Sequence, residues 1–232
     1  MREAGQDLER AVVAIYPEIE GRAYAIAGDL CERSLWRELS CCVLSSQVPY
    51  AVAVAAAEAI DRQGLLHLNF DGDLTHELTT VLKTPLTVGG SLRNYRFPAS
   101  RARQLSSTKR AVCAASGSLR NLLDGDTDPV ALRSWLVNNA PGLGPKQASM
   151  FLRNSGVTYS LAVLDRHVLD FMKEMGLYSG PANHISGLSA YGRYESDLRS
   201  YAERLGAAVG LLDWAIWIVM RVFKGARKEI AA

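Results

Sequence analysis

Cysteine is scarce: the 232 residues contain only Cys31, Cys41, Cys42 and Cys113. Four thiols at these spacings make neither a disulfide scaffold nor a metal-ligand set, and they suit a reducing, cytoplasmic setting. Eight prolines and 19 glycines are too few for a collagenous or low-complexity chain. Long apolar runs are also missing. Leu39–Ala57 holds 19 residues without a charge, close to a spanning length. Ser45, Ser46, Gln47 and Pro49 interrupt it, however, and Pro49 breaks a single helix. The run therefore reads as two buried helices joined at SSQVP. Leu211–Phe223 is shorter and contains Asp213 and Arg221. The opening MREAGQDLERAV lacks the apolar core of a signal peptide. The expectation is a soluble protein with no membrane partner, no metal and no cofactor.

Acid is absent from one long stretch. The 46 positions from Leu78 to Leu123 contain no Asp or Glu but eight basic residues: Lys83, Arg93, Arg96, Arg101, Arg103, Lys109, Arg110 and Arg120. The overall charge of +2 therefore averages a +8 block and a −6 remainder. Such a block reads either as a solvated helix face or as a surface that neutralises a nucleic-acid backbone.

What is abundant is helix. Alanine occurs 30 times, strand signals are few, and apolar residues recur at helical spacing. Leu8, Val12 and Ile15 form one stripe; Leu35, Leu39 and Val43 form another. Val54, Ala57 and Ile60 share a face, as do Leu198, Tyr201, Ala202 and Leu205. Val130–Val137, Arg166–Met175 and Gly210–Phe223 are further strong helical segments. Punctuation falls at Pro17, Pro49, Pro85, Gly89-Gly90, Pro98, 124–129, 141–145, Gly156 and 179–192. The pattern predicts an all-α chain of nine to eleven helices, with a longer loop around 176–191; a strand at Pro85–Gly90 is left open and not counted on.

Asn138–Gly156 reads NNAPGLGPKQASMFLRNSG. A helix ends near Asn139, Pro141–Gly144 turns tightly, and Pro145 opens a second helix from its favoured first position. Gly142 and Gly144 let a partner approach the backbone, and amides at a helix N-terminus suit a phosphate. This is the pattern of a helix-hairpin-helix DNA-binding element. Lys146 lies in the first turn, where the helix dipole disfavours a cation and favours the neutral, nucleophilic amine. On the residues alone it reads equally as a point charge for phosphate. Leu161–Leu169 reads LAVLDRHVL and puts Asp165 nineteen positions after Lys146. Asp165 precedes an amphipathic helix, so it is a natural N-cap; a cap also holds a carboxylate at a defined place. Arg166 and His167 beside it could meet phosphate.

The hairpin PGLGPKQASMFLRN followed by LDRHVL resembles the helix-hairpin-helix base-excision DNA glycosylases. Lys146 with Asp165-Arg166-His167 is most similar to the archaeal-type 8-oxoguanine DNA glycosylase/AP lyases. LWRELSCCVLSSQ (35–47), RFPASRARQL (96–105) and LLDWAIW (211–217) fall in matching order, so the resemblance runs from about Leu35 to Trp217. It implies two helical lobes, roughly 50–155 and 1–49 plus 156–232, with the active site in the cleft between them. It further implies a monomer acting on duplex DNA that contains an oxidised base, in the cytoplasm or nucleoid. Lys146 would attack the sugar carbon and form a Schiff base, and Asp165 would stabilise the cationic sugar. Gly142, Gly144, His167 and Arg166 would bind phosphate. Phe97 and Trp217 would sandwich the flipped base, with Asp213 at its pairing edge, and Gln47 would fill the gap left in the duplex. Without the resemblance, Phe97 and Trp217 read as core and Gln47 as a polar helix end.

The chain departs from the pattern in three places. It runs on past Trp217 through Lys224 and Lys228, where those relatives end in a lysine and carboxylate. The SSQ that carries Gln47 is closer to the LSxQ motif of the oxidised-pyrimidine, endonuclease III-like branch. The chain also lacks cysteine beyond Cys113, which excludes the iron–sulfur cluster of that branch. The alternatives are an oxidised-pyrimidine glycosylase without a cluster, a non-catalytic DNA-binding hairpin module, and a helical interaction protein.

Overall fold

The computed structural model describes residues 3–26, 31–68, 72–124, 127–180, 185 and 187–230. Among them are eleven helices and one small antiparallel hairpin, and the chain divides into two units: Met1–Gly28 with Gly156–Ala232, and Asp29–Ser155. No single helix among the described residues is long and apolar enough to cross a membrane.

The first unit contains α1 (Glu3–Ile26), α9 (Arg166–Glu174), α10 (Leu188–Arg204) and α11 (Val209–Ile230). Leu8, Val12, Ile19 and Ala23 recur on one face of α1 and join Leu211, Leu212, Ala215 and Ile216 of α11 in the core. Pro17, read from sequence as punctuation, lies inside α1. A proline there removes one helical hydrogen bond, but the apolar stripe continues through it, and burial of that stripe keeps the helix in one piece. The expected loop at 176–191 lies partly outside the described residues; α10 begins at Leu188.

The second unit contains α2 (Glu32–Leu44), α3 (Tyr50–Arg62), α4 (Thr75–Lys83), β1 (Leu86–Val88), β2 (Ser91–Arg93), α5 (Pro98–Ser116), α6 (Leu119–Leu123), α7 (Pro129–Asn139) and α8 (Pro145–Asn154). The uncharged run is indeed two helices, α2 and α3, broken at residues 45–49. The lobe edge expected at residue 50 falls at 29, because α2 packs on α3, α5, α6 and α8 of this unit. The strand left open at Pro85–Gly90 is present. Leu86–Val88 pairs antiparallel with Ser91–Arg93, Leu86 facing Arg93. Gly89 and Gly90 close the turn at φ +56° and +78°, the left-handed pair that a tight hairpin demands.

The basic block is not uniformly exposed. Lys83, Arg93, Arg96, Arg103, Arg110 and Arg120 are exposed. Lys109 is instead buried: its ammonium sits 5.3 Å from the Trp36 ring centroid and donates to the Leu68 carbonyl at 3.5 Å. A cation over an aromatic face with a carbonyl partner is satisfied inside the protein, so Lys109 is withdrawn from any phosphate-binding surface.

Candidate active site

The hairpin is built as its residues predict. Helix α7 ends at Asn139, the Leu143 amide donates to the Ala140 carbonyl at 3.1 Å, and Gly144 caps α8 with Pro145 in its first turn. Ala140 and Leu143 are buried and anchor the turn in the unit's core. The two helices are also tied by Arg133 of α7, which is buried and donates from Nη1 to Ser149 Oγ of α8 at 3.2 Å. Gly142 has φ +95°, a conformation that side chains other than glycine's rarely adopt. A Cβ there would also lie 2.6 Å from Gln104 Oε1. The N-cap, Gly144, has no side chain to accept from the first turn of α8, which leaves those amides to an anion. Lys146 projects from that turn, half-buried.

Gln47 lies in the turn after α2. It is exposed and has φ +61°, and no other residue besides glycine has a positive φ among those described. For an L-residue with a Cβ this conformation costs about 1–2 kcal/mol, and such strain gathers at working positions. Two long-range bonds hold the turn: Tyr95 donates to the Leu44 carbonyl at 2.8 Å, and Arg101 Nη2 donates to the Ser46 carbonyl at 3.1 Å. Burial pushes the Tyr95 hydroxyl up to about 12, against the Arg101 guanidinium beside it. Phe97, half-buried at the start of α5, lies under Arg96 and Arg101 at 4.9 and 5.7 Å from its centroid. The structure thus brings Gln47, Phe97, Arg101, Gln104 and Gly142 into one cluster of the second unit. Two neighbouring thiols do not compete as nucleophiles, because burial pushes Cys41 up to about 12 and Cys42 well above the ordinary thiol range.

In the first unit Asp165 caps α9, and its Oδ1 accepts from the Val168 amide at 2.9 Å. The segment leading to it, Leu161–Leu164, is buried yet has no helical or sheet partners of its own. Buried amides need acceptors, and three side chains supply contacts. Glu195 Oε1 accepts from Ala162 at 2.8 Å, Asp213 Oδ2 accepts from Val163 at 2.6 Å, and Tyr191 Oη accepts from Leu164 at 2.8 Å while donating to the Ala162 carbonyl. Asp213, expected at the edge of the base, is therefore only 1% exposed and braces the approach to Asp165. Gly210 belongs to the same brace: its amide donates to the Tyr159 carbonyl, and a Cβ would lie 2.7 Å from the Leu161 carbonyl oxygen.

Arg166 is exposed, whereas His167 is half-buried with Nδ1 unpartnered. Its ring meets Trp217 edge-on at 6.4 Å, and Arg221 lies over that indole at 5.0 Å. Burial holds the imidazole below its ordinary value, Lys224 and Arg166 push the same way, and Asp165 opposes them. Lys224 itself is paired with Asp170. The Lys228 side chain lies outside the described residues.

Sequence reasoning missed Tyr191, Glu195, Arg133 and Gln104. Glu195 had one available signal, an acid placed on the apolar face of a helix.

Residues 22–207 match the family described as 8-oxoguanine DNA glycosylase. The chain belongs to that family. An 8-oxoguanine DNA glycosylase/AP lyase of Thermotoga sp. strain RQ2 is 33% identical over 224 residues, spanning 95% of this chain and 98% of that one. Among solved structures, the 8-oxoguanine DNA glycosylase of Thermotoga maritima is 33% identical, with TM-score 0.72 over 94% of this chain and 95% of its own. The fold is shared as well with the Methanocaldococcus jannaschii 8-oxoguanine glycosylase/lyase, solved in complex with a 15mer DNA containing 8-oxoguanine; there the identity is 23% and the TM-score 0.62, over 93% and 89% of the two chains. The helix-hairpin-helix all-α architecture follows from these likenesses.

Proposed function

We propose that this member of the family excises 8-oxoguanine from duplex DNA and then nicks the strand, acting as a monomeric glycosylase/AP lyase. The observation that carries the reading is Lys146: a half-buried lysine in the first turn of an uncapped helix, at the hairpin that family membership assigns to DNA. The phosphate meets the amides around Gly142 and Gly144, where the backbone is open, and His167 and Arg166 hold a second contact. The target base leaves the stack, because chemistry at its sugar cannot proceed inside it. Phe97 and Trp217 offer it aromatic faces, while Gln47 fills the space left behind. Lys146 Nζ then bonds to C1′ as the bond from C1′ to the base breaks, and the base departs with that electron pair and a proton. Asp165 stabilises the positive charge that develops on the sugar and assists the proton transfers. Opening of the sugar ring gives the Schiff base. Loss of a proton from C2′ then expels the 3′ phosphate.

Borohydride trapping on duplexes with single defined lesions tests this. The expected result is a covalent adduct with the 8-oxoguanine duplex that disappears in Lys146→Gln, and Asp165→Asn that binds DNA but turns over at least ~100-fold more slowly. An adduct on thymine glycol and none on 8-oxoguanine would move the substrate to oxidised pyrimidines. No adduct on any lesion would leave a DNA-binding module.

A further inference from the structure

We infer that Arg101 is a positioning residue that sets the turn carrying Gln47 and couples it to the hairpin turn at Gly142, an inference that rests on the role given to Gln47 above. The two arms of its guanidinium reach different loops. Nη2 donates to the Ser46 carbonyl, one residue before Gln47, at 3.1 Å, while Nη1 donates to Gln104 Oε1 at 2.7 Å. That same Gln104 oxygen occupies the space where a Cβ on Gly142 would project. The guanidinium is aimed by these two bonds, leaving Nε buried without a partner. Gln47 is held at φ +61°, a conformation that persists only where its surroundings over-determine it. Ser46 is the carbonyl through which the 101 side chain can do so, and Tyr95 fixes the residue two positions earlier through Leu44. A planar fork meets two acceptors at a fixed angle; the single ammonium of lysine cannot reproduce that geometry. Arg101 therefore acts through Gln47 rather than on the reacting atoms.

The test separates base extrusion from sugar chemistry. An 8-oxoguanine duplex needs its base extruded, whereas a duplex with a preformed abasic site has no base to move. In Arg101→Met and Arg101→Lys, single-turnover release of 8-oxoguanine slows by roughly tenfold or more while borohydride trapping at the abasic site stays within about twofold. Amide exchange across residues 45–48 quickens in both variants. In a Gln47→Ala background, Arg101→Met produces no further loss. Release and trapping that fall in parallel, with a lowered unfolding temperature, would reduce Arg101 to a structural residue and overturn the inference. So would losses that multiply in the Arg101→Met/Gln47→Ala double variant, or a lysine variant that restores full release. If the wild type neither releases nor traps, the proposed function fails on its own. Exchange at 45–48 then still decides whether Arg101 holds the turn, and unchanged exchange overturns that.

Discussion

Replacing Gly142 by alanine should destabilise the second unit through two separable effects, and their separation tests how the hairpin turn is built. The first is local. At φ +95° a residue with a Cβ is strained by about 1–2 kcal/mol. The second is transmitted. The new methyl would lie 2.6 Å from Gln104 Oε1, so that side chain must swing away and release Arg101, which it accepts at 2.7 Å. A hydrogen bond to a charged group contributes about 1.5–3 kcal/mol. Gly142→Ala alone should then cost about 2.5–5 kcal/mol. In a Gln104→Ala background there is nothing to displace, and the same substitution should cost only its backbone strain, about 1–2 kcal/mol. Urea unfolding of the four proteins in the cycle, read as midpoints at constant slope, gives the coupling directly. Equal costs for Gly142→Ala in both backgrounds would refute the argument, since the turn would then not be braced by Gln104.

Three further outcomes follow from the same geometry. Gln47→Gly removes left-handed strain of about 1–2 kcal/mol and adds unfolded-chain entropy of roughly half that, so urea unfolding should show a gain of about 0.5–1 kcal/mol together with slower release of 8-oxoguanine. The folded-state value of His167 lies below 6.5, so on acidification the unfolded chain takes up its proton first. Stability should fall as pH drops through 6.5 and the loss should be complete below the folded value; thermal melts of His167→Phe should show a weaker decline, and an equal decline would acquit the imidazole. Asp213→Ala leaves the Val163 amide buried without its acceptor at 2.6 Å, which should cost about 2–3 kcal/mol by urea unfolding and lower turnover more than DNA affinity, because the loss falls on the approach to Asp165.

How much of this was legible in the chain depends on how far apart the partners are. The hairpin was legible because its signals are local: a helix end at Asn139, glycines in the turn and Pro145 in the next first turn. Asp165 as a cap and the break between α2 and α3 were legible for the same reason. Lys109 was misread because a cation in a basic block looks solvated until Trp36, far along the chain, is found beneath it. Arg101 lies within RFPASRARQL, yet its role depends on a carbonyl 55 positions away.

Asp213 marks the boundary between the two kinds of information. An acid inside the apolar run LLDWAIW must be paired if buried, since an isolated buried carboxylate is too costly to keep. That requirement is visible in the sequence; the partner is not. A base edge and the Val163 amide are both hydrogen-bond donors, so composition and spacing cannot choose between them. The choice is made by backbone geometry: Leu161–Leu164 runs buried and outside any helix or sheet, and its amides take acceptors from Tyr191 and Glu195 of α10 and Asp213 of α11. An irregular segment of this kind is stable only when distant side chains complete it. The carboxylate at its end is therefore positioned by residues 26 to 48 places further along the chain, and the chemistry assigned to Asp165 depends on a brace that no local motif announces.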